Sequence, residues 1–265
     1  RDGDEVTIAL LSSGGGADAQ TLKVTSKSID PSAVTAEDVI GGYDAVTGKE
    51  TGLECLRQVY VLHQMVPGLV LAPGWSHKPE VAAVMQAKTQ NLNEIFNTFA
   101  VIDIDTALAK VYTKVKEVKD QSGINAERAA ALWPMVSVNG KKAYYSAYWS
   151  AMAAYTDAQN GDRPYKSPSN ELLNITAAVL EDGTEIRMDT SQAATLNGDG
   201  IVTAINDDGW RSWGNNTACY PENRDPKDRW ICCRRMLNWY EVHFLRQYKS
   251  KVDDPYDVRL VESLV

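Results

Sequence analysis

The first part of the chain alternates apolar and polar residues in two short runs. These runs are DEVTIALL at 4–11 and QTLKVTSKSI at 20–29, and the stretch SSGGGADA separates them. A period of two is typical of a strand with one buried face, and a run of Gly and Ser is typical of a flexible loop. We therefore expect residues 1–40 to be a β-rich segment that belongs to an adjoining domain.

Beyond residue 40, helical and strand patterns alternate along the chain. A turn-rich stretch leads into residues 53–65, whose apolar residues recur at helical spacing. That helical face consists of Leu53, Leu56, Val59, Tyr60 and His63. The other predicted elements are a buried strand at 66–74, a helix that begins at Pro79 and keeps an apolar face as far as Phe99, a strand at 99–105, a helix at 106–121, a strand at 131–138 and a helix at 144–158.

This alternation of strands and helices predicts an α/β domain that spans residues 41–265. We expect a mixed, mostly parallel sheet flanked by helices, because crossovers of this length join parallel neighbours. The stretch 164–170 interrupts the alternation, and residues 191–214 are predicted to form short strands. The last part is predicted to be a strand, a polar loop at 220–228 and a strand that leads into a helix at 236–249.

The composition predicts a folded chain that does not bind nucleic acid directly. The 265 residues are 44% hydrophobic, which is enough for a large core, and their formal net charge is −8. Neutralising nucleic-acid phosphates needs a surplus of Lys and Arg, which this chain lacks. Residues 206–265 hold ten acidic and ten basic residues, so the negative surplus lies before them.

Neither a membrane segment nor a disulfide framework is expected. The sequence has no run of about 18 apolar residues, and its first residues, RDGDEVT, are charged and thus unlike a secretory signal. The four cysteines are Cys55, Cys219, Cys232 and Cys233, and their spacing fits no metal site. We expect reduced, buried thiols of cytoplasmic origin, with the two adjacent cysteines pointing apart in a strand.

The stretch GGYDAVTGKET resembles a phosphate-binding loop but fails in its spacing. Gly42 and Gly48 enclose five residues where the motif has four, although Lys49 follows as the motif requires. Glu50 stands where the magnesium-binding hydroxyl belongs, and its carboxylate would repel a phosphate. We therefore expect no nucleotide cofactor here.

The stretch TLNGDGIVTAIN resembles a calcium-binding loop but lacks charged oxygen ligands. Asn197, Asp199 and Gly200 match the third, fifth and sixth positions of such a loop, whereas Thr195 and Asn206 replace the carboxylates of its first and last positions. A tight turn is the better interpretation, and no metal ion is expected.

Two further groups bear on catalysis. Ser76 and His77 follow a predicted strand, where α/β hydrolases place a nucleophile, but the nucleophile elbow needs Gly at the position of Lys78. Asp103 and Asp105 could form a carboxylate pair at a strand end, although no His or Gly-rich loop accompanies them. No catalytic residue is assigned on this basis, because an α/β scaffold alone does not imply an activity.

Six stretches, taken in order, resemble the tail sheath proteins of contractile phages, in particular the P2-like and Mu-like branch and its phage-tail bacteriocins. They are IGGYDAVTGKETGLE, VPGLVLAPGWSHKPEVAAVMQAKTQ, FAVIDIDT, PYKSPSN, LNGDGIVTAINDDGWRSWGNNTACYP and DRWICCRRMLNWY. The resemblance runs from about residue 20 to residue 265. Its most specific marks are the Pro-Gly after the first core strand, the LN-x-x-GI turn, WG-x-x-T and an arginine pair before a helix.

The resemblance implies a structural protein rather than an enzyme. Sheath subunits stack as six-membered rings around an inner tube and contract to drive the tube through a bacterial envelope. The partners implied are other copies of the chain, the inner tube protein, and baseplate and tail terminator proteins, with no cofactor. The place implied is a virion tail or a phage-tail-like particle that assembles in the bacterial cytoplasm.

The chain departs from the family in two respects. Asn216 stands where the family often has Arg in WG-x-R-T, which puts a salt bridge from that position in doubt. Family members also carry an N-terminal segment before this region and a β-rich segment after VDDPYDVRLVESLV, so we expect that the arms that pair with neighbouring subunits are missing.

The segment 206–235 is rich in aromatic and cationic residues and suits contacts between identical subunits. Trp210, Trp213 and Trp230 are candidate anchors. Arg224, Lys227, Arg234 and Arg235 either face another subunit or pair within the chain. The main alternative function is an α/β hydrolase or nucleotide-binding domain, and a third is a surface carbohydrate-binding protein.

Overall fold

The computed structural model describes residues 30–252, and the chain divides into two compact units, residues 1–34 and 35–265. The two strands predicted at the N-terminus lie outside the described residues. The first helix, Ala36–Ile40, packs its apolar side chains against the main core. The adjoining domain and its boundary near residue 40 stay a prediction.

The second unit contains helices and strands throughout its described length, together with short 3₁₀ helices at Gly52–Cys55 and Lys249–Lys251. In chain order the elements are α1 (Ala36–Ile40), β1 (Gly42–Asp44), β2 (Lys49–Thr51), α2 (Leu56–His63), β3 (Val70–Leu71), α3 (Pro79–Ala87), β4 (Ala100–Asp103), α4 (Tyr112–Gln121), β5 (Ala129–Leu132), β6 (Met135–Val138), β7 (Lys141–Ala143), α5 (Tyr145–Gln159), β8 (Ala177–Val179), β9 (Glu185–Ile186), α6 (Thr190–Gly198), β10 (Ile201–Asn206), β11 (Trp210–Trp213), α7 (Pro226–Arg229) and α8 (Ile231–Tyr248).

A five-stranded sheet forms the centre of this unit, in the order β11-β10-β5-β4-β3. Strands β10, β5, β4 and β3 run parallel, and β11 pairs antiparallel with β10. Every residue of β4 and β5 is buried, because helices and loops cover both faces. The predicted α/β class, with a mixed and mostly parallel sheet flanked by helices, is confirmed.

The two faces of the sheet belong to two apolar clusters. Alternate residues of β4 and β5 point to opposite sides, so that Ile102 and Ala131 join one cluster and Val101 and Leu132 join the other. The second cluster also contains the fully buried Trp149 of α5. Burial of both faces explains the continuous apolar runs in the sequence.

A second sheet, antiparallel and four-stranded, has the order β7-β6-β8-β9. The segment predicted as one strand at 131–138 is split between the two sheets, with a cis peptide bond between Trp133 and Pro134 at the transition. Asn139 and Gly140 form the turn between β6 and β7 with φ of 51° and 79°, as hairpin turns of this kind require.

Two predicted elements in the first half are wrong in extent. The strand predicted as buried at 66–74 is the two-residue β3, which lies at the sheet edge. The helix predicted at 106–121 begins only at Tyr112. The side chain of Asp105 explains the delay, because it accepts the backbone N–H groups of Ala107 and Leu108 and forms a local turn.

The helix predicted to run from Pro79 to Phe99 ends at Ala87. Asn91, Asn93 and Glu94 adopt left-handed backbone angles, which a continuous helix excludes. The apolar residues at helical spacing beyond Ala87 do reach the core, but they reach it from a loop and not from a helix.

The stretch 191–214, predicted to form short strands, contains the strands β10 and β11 but begins with a helix, and the strand predicted before residue 236 is also a helix. Residues 190–198 form α6, which starts at a capping box between Asp189 and Gln192. Residues 231–235 form the first turn of α8 rather than a strand, so Cys232 and Cys233 lie on a helix.

A buried lysine joins three distant segments of the fold. Lys119 of α4 is 1% exposed, and its ammonium group donates to the backbone carbonyl oxygens of Asp199, at 2.7 Å, and Tyr220, at 3.2 Å. Its pKa is lowered from 10.5 to about 8, mainly because burial disfavours the charged form. The charge is therefore held by carbonyl groups at a cost in desolvation.

The pKa of Lys119 predicts a rise in stability with pH. A lysine whose pKa is lower in the folded state binds fewer protons there than in the unfolded state, so folding becomes more favourable as pH increases from about 8 to about 10.5. The shift corresponds to a gain on the order of 3 kcal/mol. The free energy of unfolding of the chain, relative to that of Lys119→Met, should increase between pH 7 and pH 10 in denaturant titrations.

Lys114→Met provides the matched control on the same helix. Lys114 is exposed, and a hydrogen bond from its ammonium group to Glu117 raises its pKa. The free energy of unfolding of the native chain, relative to that of Lys114→Met, should therefore not increase between pH 7 and pH 10. Parallel curves for the native chain and Lys119→Met would show that the ammonium group is not desolvated.

Candidate functional site

The residues that resemble a phosphate loop lie in an exposed β-hairpin. Gly42 belongs to β1 and Lys49 and Glu50 to β2, and these two strands pair with each other. Glu50 lies 3.7 Å from the guanidinium of Arg57. The glycines therefore serve a hairpin rather than the turn between a strand and a helix that holds a phosphate.

The residues that resemble a calcium loop form the end of α6, a turn and β10. The backbone carbonyl of Asp199 accepts the ammonium group of Lys119, so a positive charge of the chain itself lies against this turn. Burial raises the pKa of the Asp199 carboxyl, which opposes metal binding. Among residues 30–252, no group of three or more His, Cys, Asp or Glu side chains could hold a metal ion.

Ser76 and Asp103 lie in contact in the interior. The Ser76 hydroxyl donates to the Asp103 carboxylate at 3.2 Å and accepts the backbone N–H of Asp103 at 3.0 Å. Asp103 also accepts the backbone N–H of Ser146, at 2.8 Å, and the Ser146 hydroxyl. Burial raises the pKa of the Asp103 carboxyl, although the hydrogen bonds from Ser146 and Ser76 oppose this shift.

This arrangement holds a helix rather than a nucleophile. Asp103 is the last residue of β4, and its side-chain carboxylate accepts the backbone N–H of the second residue of α5. It therefore caps the N-terminus of that helix. Ser76 is fully buried, so no substrate could reach its hydroxyl. The neighbouring His77 stacks on Tyr144, with ring centroids 5.8 Å apart. Asp105 makes a local turn instead of a carboxylate pair with Asp103.

The four cysteines are free, and their surroundings differ from the prediction. Cys219 is buried, Cys55 and Cys232 are half-buried, and Cys233 is exposed on α8. Burial raises the pKa of Cys219, which makes its thiol a poor nucleophile.

Two marks of the family resemblance, the LN-x-x-GI turn and WG-x-x-T, meet at one end of the five-stranded sheet. We call this place the motif joint, and it consists of Asn197, Gly200, Asn216, Thr217 and Arg229. The side chain of Asn216 donates to the backbone carbonyl of Asn197 at 2.6 Å and accepts the Arg229 guanidinium at 3.1 Å. The Thr217 hydroxyl donates to the carbonyl of Asp228. The LN-x-x-GI turn, WG-x-x-T and the loop before α8 are thus tied together.

Gly200 is required by the close approach of backbone within the motif joint. Its φ is +70°, and a Cβ there would lie 2.4 Å from the carbonyl oxygen of Tyr220 and 2.7 Å from that of Thr217. Any side chain would therefore displace the loop that Lys119 also binds.

Arg229 accounts for the departure of Asn216 from the family pattern. Its guanidinium lies between the rings of Tyr220 and Trp230, 4.3 Å and 4.2 Å from their centroids. Asn216 binds this guanidinium through its side-chain oxygen. A guanidinium group therefore lies beside position 216, although it belongs to Arg229 and not to residue 216 itself.

The four cations of the 206–235 segment divide into two pairs. Arg234 pairs with Asp228 and Arg235 with Asp157, and both guanidinium groups are more than 90% buried. Arg224 and Lys227 are exposed; Arg224 donates to the carbonyl of Pro221 and Lys227 pairs with the nearby Asp225. The adjacent arginines therefore hold α8 within the chain, and the two loop cations face outward.

The three tryptophans of this segment are half-buried. Trp210 packs against the second apolar cluster and donates its indole N–H to the carbonyl of Thr176 at 3.1 Å. The fully buried tryptophans are Trp133 and Trp149.

The sequence analysis did not identify Lys119 as a buried residue. The only local indication was its position directly after Val118, an apolar residue of α4 that is also buried.

The helices within residues 30–252 include none with the length and apolar character needed to cross a membrane.

Comparisons with known proteins identify related chains. No family model matches the sequence. A protein described as a prophage major tail sheath protein of Pseudomonas aeruginosa is 31% identical over 207 residues, which covers 76% of this chain and 51% of that protein. The tail sheath protein of Burkholderia phage BcepMu is 25% identical over 262 residues, which covers 93% of this chain and 53% of that protein.

The fold is similar to that of a solved sheath. The sheath complex of an extracellular contractile injection system in the contracted state matches 80% of this chain and 55% of its own, with a TM-score of 0.62 and 19% identity. The chain spans about half the length of the curated relatives that it matches. By its sequence, the chain belongs to the family of tail sheath proteins.

Proposed function

We propose that this chain is the core part of a contractile tail sheath subunit, which polymerises as stacked hexameric rings around an inner tube and contracts to drive that tube through a bacterial envelope. The observation that carries the proposal is the motif joint. Among the residues that mark the family in sequence, Gly200 donates its N–H to the carbonyl of Asn197, which also accepts the side chain of Asn216, and the Thr217 hydroxyl donates to the carbonyl of Asp228, three residues before α8. The residues that resemble the family in sequence thus take part in contacts of this fold.

A structural role agrees with the place of the motif joint on the sheet. Gly200 precedes β10, and Ala218 donates its N–H to Ala129 at the start of β5, so the joint lies at the amino ends of the parallel strands. Enzymes with open α/β sheets bind their ligands at the carboxyl ends. At that end the polar cluster of Ser76, Asp103 and Ser146 is buried and caps α5. The hydrolase alternative therefore has no observation in its favour.

The proposed partners are other copies of the chain, the inner tube protein, and baseplate and tail terminator proteins. Arg224 and Lys227 are exposed beside an otherwise mixed-charge loop and are candidates for contacts between copies. The sheet edge at β3 offers backbone groups for strand addition by an arm of a neighbouring subunit. The proposed location is a virion tail or a phage-tail-like particle, with assembly in the bacterial cytoplasm.

Electron microscopy provides the direct test of the sheath role. We expect the chain, when extended to the full length of its relatives, to form tubular particles with regular stacked rings in negative stain. Residues 1–265 cover about half the length of the curated relatives, and we expect them alone to sediment as a monomer in dilute solution. Full-length protein that stays monomeric at high concentration, or stable hexamers of residues 1–265, would contradict this scheme.

Hydrolytic activity should be absent, and Ser76 should matter for stability only. Ser76→Ala leaves the N–H of Asp103 without its hydroxyl acceptor and should lower the free energy of unfolding by about 1–3 kcal/mol. Ester, phosphate and nucleotide hydrolysis should stay at background in both proteins. The exposed Ser191→Ala is the control and should change neither quantity. A hydrolysis that disappears with Ser76→Ala would reverse the proposal.

The four cations should differ in what their removal changes. Arg235→Ala leaves the Asp157 carboxylate without its partner and should lower the free energy of unfolding by about 3 kcal/mol. Arg224→Ala should change it by less than about 0.5 kcal/mol, because the side chain is exposed. Charge reversal of Arg224 and Lys227 together should instead reduce tube formation by the full-length protein. Equal losses of stability for Arg224→Ala and Arg235→Ala would refute this division.

A further inference from the structure

The chain contains three Asn-Gly pairs, at residues 139–140, 160–161 and 197–198. Such a pair is chemically reactive, because the backbone nitrogen of the glycine can attack the side-chain carboxamide of the asparagine and close a ring. Glycine favours this attack, since it has no Cβ to block the approach and allows a wide range of backbone angles. The three pairs share this chemistry, so their surroundings in the fold decide which of them reacts.

The pair at 139–140 lies in an exposed hairpin turn. Asn139 and Gly140 are both exposed and connect β6 to β7, with positive φ of 51° and 79°. Within residues 30–252, no hydrogen bond engages the carboxamide of Asn139 or the backbone N–H of Gly140. Neither reacting group is therefore held by a contact that the reaction would have to break.

The hairpin that contains this turn can open locally. Strand β7 has only three residues, Lys141–Ala143, and lies at the edge of the four-stranded sheet. Its first two residues are exposed, so few apolar contacts oppose an opening of the turn. Segments of this kind open with a free energy well below that of global unfolding. The backbone rotation that ring closure requires at Asn139 is thus available in the folded chain.

The pair at 160–161 is held at the end of α5. The carboxamide of Asn160 donates to the backbone carbonyl of Thr156 at 2.7 Å, and its oxygen accepts the hydroxyl of Tyr165 at 3.0 Å. The backbone N–H of Gly161 donates to the carbonyl of Ala158 at 3.3 Å. The carboxamide and the attacking nitrogen are both engaged, so the reaction would first have to break these hydrogen bonds.

The pair at 197–198 lies in the last turn of α6. Ring closure would require Asn197 to leave its helical backbone angles. Its backbone carbonyl accepts the side chain of Asn216 at 2.6 Å and the N–H of Gly200 at 3.1 Å, and its side-chain oxygen is buried. The reaction at this pair would therefore have to disrupt the motif joint.

We propose that Asn139 is a site of spontaneous deamidation and that the fold protects Asn160 and Asn197 from the same reaction. The Gly140 nitrogen forms a bond to the side-chain carbonyl carbon of Asn139. The bond from that carbon to Nδ2 breaks, and ammonia leaves with the proton of the Gly140 amide. Water then opens the resulting succinimide at one of its two carbonyl carbons. The products are aspartate, with the original backbone, and isoaspartate, whose backbone continues through the side-chain carboxyl carbon.

Both products change the β6–β7 hairpin. Each places a carboxylate in a turn that Lys141 and Lys142 follow directly. Isoaspartate also lengthens the backbone by one methylene group, which a two-residue turn cannot absorb while Val138 stays paired with Lys141. The formation of isoaspartate should therefore weaken the pairing of β6 with β7.

Peptide mapping of residues 1–265 by mass spectrometry tests the proposal. Trypsin places the three pairs in separate peptides, residues 129–141, 143–166 and 188–211. After incubation of the folded protein at mildly alkaline pH, peptide 129–141 should show the mass shift of an amide-to-acid conversion at Asn139, relative to an unincubated sample. Conversion at Asn160 and Asn197 should be at least about tenfold slower, because each requires an opening of higher free energy.

The unfolded chain and one variant are the controls. In guanidinium chloride the protection is lost, so the three pairs should convert at similar rates. Asn139→Gly keeps a residue that tolerates positive φ and should abolish both the mass shift of peptide 129–141 and its labelling by a protein isoaspartyl methyltransferase. The proposal is overturned if Asn139 stays intact in the folded chain, or if Asn160 or Asn197 converts as fast. A preference for Asn139 that persists in the unfolded chain would overturn it as well.

Discussion

A buried ammonium group holds together three segments of this domain that are distant in sequence. Lys119 places a positive charge against the carbonyl oxygens of Asp199 and Tyr220, which belong to the turn after α6 and the loop after β11. These segments are distant in sequence, and each contributes an acceptor that would otherwise be buried without a donor. Desolvation lowers the pKa of Lys119 to about 8, so the contact is costly and depends on good geometry. The Gly200 turn and the motif joint supply that geometry.

The family marks can therefore be understood as solutions to one packing problem. The segment between β11 and α8 packs against the turn before β10, where its backbone approaches too closely for a side chain at position 200. Asn216 then binds the carbonyl of Asn197 and the guanidinium of Arg229, and the tryptophan and tyrosine rings enclose that guanidinium. Because the side chain of Asn216 accepts a hydrogen bond from Arg229, the motif joint contains a cation even though residue 216 is not Arg.

The sequence predicted the class of the fold better than the extent of its elements. Continuous apolar runs at β4 and β5 predicted a sheet with both faces buried, and α5 lies almost where its pattern placed it. The helix predicted from Pro79 to Phe99 failed beyond Ala87 because buried side chains can also come from a loop with left-handed residues, which periodicity does not distinguish. The strand predicted at 229–235 failed because the buried arginines Arg234 and Arg235 interrupt the apolar pattern of α8. Their carboxylate partners, Asp228 and Asp157, come from other segments, and no local pattern reveals such pairs.

The proposed sheath role places two opposite demands on the chain. A sheath that contracts moves its subunits as bodies, so each body must stay rigid while the segments between bodies move. The motif joint and the buried ion pairs of Arg234 and Arg235 meet the first demand, because breaking any of them exposes or isolates a buried charge. The exposed cations Arg224 and Lys227 suit the second demand, since contacts between exposed charges are weak individually and can be exchanged. The division of four neighbouring cations between interior and surface thus separates the residues that hold the body together from those available to its neighbours.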